Sequence, residues 1–351
     1  MTKIVASSQT TDSYTLECLA DVLEEAAEEG NLPLVEAAIE MGADVQYRSN
    51  RTIGKKRHHA LEKAAFKGHA PVVDYLLRRG AINNDVLRRV RTKDLRRWKY
   101  THVDLMLLDA IYAGHVELAI CLLSAHGAYP ETEECSIDGY SATRSVIHGV
   151  SEMKSIDRGM RILEVILRNT AFKPSRTTVD YSPDHRYLPH SALSRFVQAG
   201  WVDAVEMMLS IEDLTTNYKC GRAVYPLNAL SVATWEKRPQ DSLRILKLLI
   251  DRKFDLNFAQ NLPGDGKAET ALGRATRAGV AEGVALILQR KPALLKETFT
   301  YSQALTFEDD NDNFKTLSIS LLSVAIIDGS TETAKVLLHN GAHPRDAAFQ
   351  V

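Results

Sequence analysis

A recurring glycine interval constrains this chain more than any other feature. Gly30 and Gly42 stand twelve residues apart in AAEEGNLPLVEAAIEMGADVQ, as do Gly68 and Gly80 in AAFKGHAPVVDYLLRRGA and Gly329 and Gly341 in AIIDGSTETAKVLLHNGA; Gly114 and Gly127 are thirteen apart in AIYAGHVELAICLLSAHGA. In each case an Ala-rich apolar segment precedes the first glycine, a second apolar segment follows it, and the second glycine is followed by Ala. Self-similarity of this kind is the signature of a solenoid, whose units cannot bury their apolar faces alone. The small side chains of Ala64, Ala65 and Ala110 let two antiparallel helices approach closely, and Gly68 and Gly114 supply the tight turn between them. Val72, Val73, Leu76 and Leu77 make one apolar helix face that only a neighbouring unit can cover. Gly80, Gly127 and Gly341 fit a left-handed helix C-terminus. Asp138-Gly139 and Asp265-Gly266 fit hairpin tips.

The order A-x-x-G-H, then V-V-x-x-L-L, then G-A-D-V-N resembles the ankyrin repeat. The second unit is nearest the pattern, with Ala65, Gly68, His69, Val72, Val73, Leu76, Leu77, Gly80 and Ala81 at the family positions, and the first adds Asp44 and Val45. Weaker copies begin at Ser191, Ala229 and Thr270, and an interrupted fourth copy lies between Asp138 and Phe172. The resemblance spans residues 19 to 346 in about eight units, with insertions filling the remainder. It implies an all-α, ankyrin-type solenoid of stacked helix-turn-helix repeats with short hairpins or loops between them. The expected organisation is a disordered lead over 1–15, a single array over 16–346 and a tail over 347–351. It further implies that His69 and His115 help hold the turn, while Trp201, in the same place after Gly200, packs. The family's T-P-L-H is reduced to Thr270-Ala271-Leu272-Gly273 and Ser191-Ala192-Leu193-Ser194, and Lys237 and Val150 stand where two units should carry the turn glycine.

With 45% hydrophobic and 25% charged residues, the 351-residue chain is neither mostly disordered nor collagen-like. Its N-terminus, MTKIVASSQTTDSY, lacks the apolar run of a secretory signal, and its apolar runs end well short of the about 20 residues of a membrane span. Cys18, Cys121, Cys135 and Cys220 form no CxxC pair, so neither a disulfide framework nor a cysteine-rich zinc site is expected. A reduced, monomeric, cytoplasmic protein is the expectation. The run Asp309 to Asn313 departs from a calcium loop at Phe314 and Ser320, and Leu262 to Thr270 departs from a phosphate loop at Asn261 and Ala268. His339 and His343 are separated by the helix-ending Gly341. Without a G-x-S-x-G or H-E-x-x-H motif, no catalytic residue, cofactor or metal site is expected.

Charge is where the sequence is most individual. The net charge of -2 sums an acidic stripe over 1–50 (ten acidic, two basic residues), a basic one over 51–102 (four acidic, fifteen basic) and an acidic one over 103–139 (seven acidic, none basic). Arg88, Arg89, Arg91, Lys93, Arg96, Arg97, Trp98, Lys99 and Tyr100 form a basic segment with aromatics and are the candidate partner-binding residues. The plainer reading is an inserted helix capped at Asn84 or Asp85, packing through Val86, Leu87, Val90, Leu95 and Trp98, with its arginines solvated. The flanking acidic stripes argue against nucleic acid. The function implied by the resemblance is a non-catalytic protein-protein interaction scaffold that takes an acidic protein partner on its concave face and loops. The alternatives are a nuclear regulatory factor that uses 83–100 for import, and an accessory or cryptic catalytic component of a metabolic pathway. For the latter, a buried polar pocket between His148 and Arg161 is the discriminating feature.

Overall fold

The structure is a computed structural model that describes residues 8–46, 59–81, 101–130, 132–134, 144–168, 172, 177–178, 190–211, 224–260, 269–296, 298–302 and 316–347. Its contacts divide into two compact bodies, Met1–Ile137 with Arg144–Phe172, and Asp138–Thr143 with Lys173–Val351. The first body contains α1 (Ser8–Glu29) with α2 (Leu32–Glu40), α3 (Ala60–Lys67) with α4 (Ala70–Arg78), α5 (His102–Ala113) with α6 (Val116–Ala125), and α7 (Val146–Ser151) with α8 (Ile156–Leu167). The second contains α9 (Ala192–Ala199) with α10 (Val202–Ile211), α11 (Val232–Lys237) with α12 (Pro239–Asp251), α13 (Ala271–Arg277) with α14 (Ala281–Arg290), and α15 (Leu321–Ile327) with α16 (Thr331–His339). In the first body, first helices pack on first helices in the order α1, α3, α5, α7, and second helices on second helices in the order α2, α4, α6, α8. The second body repeats this for α11, α13, α15 and for α10, α12, α14, α16. The architecture is an all-α solenoid of helix-turn-helix units.

The apolar pattern explains the layers. Ala64, Leu61, Val72, Val73 and Leu76 are fully buried, so each pair contributes small residues at the helix contact and branched ones to the seam with its neighbour. Start signals are more regular than the reduced T-P-L-H suggests. Thr101, Ser145, Ser191, Ser231, Thr270 and Ser320 each accept a hydrogen bond from the backbone N–H three residues on. The family's hydroxyl cap therefore persists although the residue three places later is variously Asp104, His148, Ser194, Thr234, Gly273 or Ser323.

Among the described residues three antiparallel ribbons lie between units: β1 (Glu133–Glu134) with β2 (Arg144–Ser145), β3 (Thr177–Thr178) with β4 (His190–Ser191), and β5 (Thr298–Ser302) with β6 (Thr316–Ser320). The last pairs Thr298 with Ser320 through to Ser302 with Thr316, so the insertion expected as a loop from Lys296 is rooted in a five-residue ribbon running directly into α15. Helix α1 runs from Ser8 to Glu29. One expectation needs correction. Val150 is not at a turn: α7 continues through it to Ser151, and residues 152–155 make the connection to α8. The glycine that matters there is Gly149, where a Cβ would come within 2.7 Å of Ile111 and 2.9 Å of Tyr112, so it admits α5 at close range.

Candidate functional site

Successive repeats are joined by a device that the sequence signals only in part. Gly30 and Gly68 end their first helices at φ of 76° and 80°. A Cβ on Gly30 would lie 2.5 Å from the His69 ring, and one on Gly68 would collide with the His115 ring. Each turn glycine is thus a socket for the next repeat's histidine. From the socket His69 Nε2 donates to the Glu28 carbonyl and His115 Nε2 to the Phe66 carbonyl, each at 2.9 Å. The histidines hold the preceding repeat rather than their own turn. In the second body the side chain of Arg238 packs beneath Gly200 and that of Ser330 beneath Gly279. The carbonyl of Gln198, equivalent to those of Glu28 and Phe66, accepts instead from Thr234 Oγ1 at 3.1 Å. Trp201 is buried and meets Phe196 with ring centroids 5.4 Å apart.

The fold is of the ankyrin-repeat type. The helix pairs, the left-handed glycine turns and the hydroxyl caps recur from unit to unit as the resemblance implies. No family model matches the chain, and no curated protein matches it. Among solved structures, the human ASB11 ankyrin repeat domain is similar over 92% of this chain and 98% of its own, at 17% identity and a TM-score of 0.37. A likeness that remote carries no argument, and the assignment stands on the chain's own geometry.

The segment Arg88 to Tyr100, with all nine candidate partner-binding residues, lies outside the described residues, as do Asp138-Gly139 and Asp265-Gly266. Within the basic stripe, the described lysines pair with the acidic first unit: Lys63 Nζ is 3.2 Å from Glu28 and 3.5 Å from Glu24, and Lys67 is 3.8 Å from Glu28. The first-helix layer also displays apolar groups. Phe66, two residues before its turn glycine, is 80% exposed, and Tyr112 occupies the equivalent place on the adjacent first helix, 39% exposed. No described helix is long and apolar enough to cross a membrane. Between His148 and Arg161 the charged side chains Glu152, Lys154, Asp157, Arg158 and Arg161 are all exposed, so no convergent polar pocket forms there.

Sequence reasoning missed one cluster. Asp74 on α4 meets Cys121 on α6 and His126 just past its end, and one ligand atom from each lies within 4.8 Å of the others. His126 Nε2 donates to Asp74 Oδ1 at 2.9 Å, and Arg78 Nε donates to the same oxygen at 3.0 Å. Burial pushes the Asp74 carboxyl up, but the hydrogen bonds and charges of Arg78 and His126 together hold it below the usual aspartate value. Burial, with the Asp74 charge, pushes the Cys121 thiol up against the opposing pull of Arg78. A neutral thiol beside a paired carboxylate is no activated nucleophile. The only sequence signal was a Cys and a His five apart flanking a helix end.

Proposed function

We propose that this chain is a non-catalytic protein-protein interaction scaffold that binds through its first-helix layer and inserted loops, its helix pairs acting as one array. The observation carrying this reading is the exposed aromatic pair at equivalent turns, Phe66 and Tyr112. Nothing in the stacking of repeats requires Phe66 to face solvent, and aromatic side chains are the commonest anchors of protein interfaces. The basic segment Arg88 to Tyr100 stands in the sequence between the two helices that carry this pair, and its charge suits an acidic protein partner. The acidic stripes on either side disfavour nucleic acid. We place the protein in the cytoplasm as a monomer. The test is quantitative capture of partners from cell extract by the wild type, by Phe66→Ser and by a variant with Glu at Arg88, Arg89, Arg96 and Arg97. Each variant should lose the same partner, and undiminished recovery by both would refute the assignment.

A further inference from the structure

We propose that Asp74, Cys121 and His126 form a Zn2+ site that clamps the second helices of two successive repeats. The three groups come from consecutive units, and Asp74 and His126 are 52 residues apart in the chain. Zinc bonds of about 2.0–2.3 Å in a tetrahedron bring ligand atoms to roughly 3.3–3.8 Å from one another. Separations within 4.8 Å therefore close by at most about 1–1.5 Å, while the 2.9 Å His126–Asp74 contact opens slightly. One thiolate, one imidazole and one carboxylate select the metal. The thiolate argues against Mg2+ and Ca2+ and the carboxylate against Cu+, which leaves borderline Zn2+ as the fitting ion, with a fourth position for water.

All three side chains are partly buried, deep enough to limit competition from water and open enough for an ion to enter. Binding would insert the metal into the His126–Asp74 hydrogen bond, with the Cys121 thiol proton released to solvent and the His126 Nε2 proton transferred through solvent to Nδ1, since a ligating nitrogen carries no proton. The competitor is Arg78, which must leave Asp74 Oδ1. Its side chain is 68% exposed, and the pair is of the weak surface kind. A second imidazole lies within electrostatic reach: the charge of His126 acts on His102, whose Nε2 is buried with no hydrogen-bond partner among the described residues. The chain between α4 and α5 carries the basic segment, so the metal would fix the repeats on both sides of it.

The test uses the full, chelator-treated chain. Co2+ should give a thiolate-to-cobalt charge-transfer band that saturates at one equivalent and is displaced by Zn2+. Zn2+ should protect Cys121 from alkylation while the exposed Cys18 continues to react, as read by peptide mass spectrometry. Cys121→Ser should abolish the band, and Asp74→Asn and His126→Asn should each weaken Zn2+ at least about 10-fold. Arg78→Ala alters only an exposed side chain and should tighten binding severalfold, which separates ligand loss from misfolding. The proposal is overturned if the wild type gives no band, if the band survives Cys121→Ser, or if Zn2+ leaves the alkylation of Cys121 unchanged.

Discussion

At the scale of single residues, the glycine sockets separate two effects that usually travel together. Every turn glycine has a positive φ, which costs an L residue about 1–2 kcal/mol. Only some are also filled. Gly68→Ala should cost distinctly more than Gly114→Ala, because the new methyl meets the His115 ring at the first and open space at the second. Chemical denaturation of both, with His115→Ala added to each, isolates the collision: the His115→Ala change should partly rescue Gly68→Ala and leave the cost of Gly114→Ala unrelieved. A second residue-scale effect concerns His102, whose imidazolium is disfavoured first by burial and then by the charge of His126, against the opposing pull of Asp104. Its folded pKa is depressed, so the unfolded chain takes up its proton first. Stability is therefore lost as pH falls from about 6.5 towards the folded value. In a chelator-containing buffer, His102→Gln should flatten this part of the decline in Tm with pH. An unchanged slope would mean that other histidines carry it.

At the scale of elements, the entry to α5 is held by a reciprocal cap. Thr101 Oγ1 accepts from the Asp104 N–H, and the buried Asp104 accepts in turn from the Thr101 backbone and hydroxyl and from the Tyr129 N–H at 2.6 Å. Thr101→Ala should cost about 0.5–2 kcal/mol, and Asp104→Ala more, because it also strands the Tyr129 N–H; urea titration orders the two. The elements differ in how far they could be read beforehand. Turn glycines and Val/Leu pairs were legible because they repeat at fixed spacing and act within one unit. The latch was half legible: His69 and His115 stand out in the sequence, but their acceptors are backbone carbonyls of another repeat, which carry no residue signature. Gly149 and the β5–β6 ribbon were hidden because close helix approach and strand pairing are decided by the neighbour. The Asp74, Cys121 and His126 cluster was illegible for the same reason, since no local spacing encodes a meeting of two stacked helices.

At the scale of the whole molecule, repeat proteins distribute stability through nearest-neighbour contacts, so damage should stay local. Leu76 is fully buried on α4, and Leu76→Ala should cost about 2–5 kcal/mol. Hydrogen exchange should then show protection lost mainly over α3 to α6, while α13 to α16 keep theirs; uniform loss would contradict nearest-neighbour behaviour. The latches carry a further consequence for how such a chain can grow or shrink. Because each socket is filled from the repeat that follows, excising the stretch from His69 to Gly114 would present His115 to the Gly30 socket and leave the joint chemically intact. Removing any whole period keeps a histidine facing a glycine socket, whereas removing part of one leaves socket and plug out of step. Gly200 receives Arg238 and Gly279 receives Ser330, so units moved between the two bodies would meet sockets shaped for a different side chain. Duplication and loss of repeats are therefore constrained to whole periods and to one body at a time.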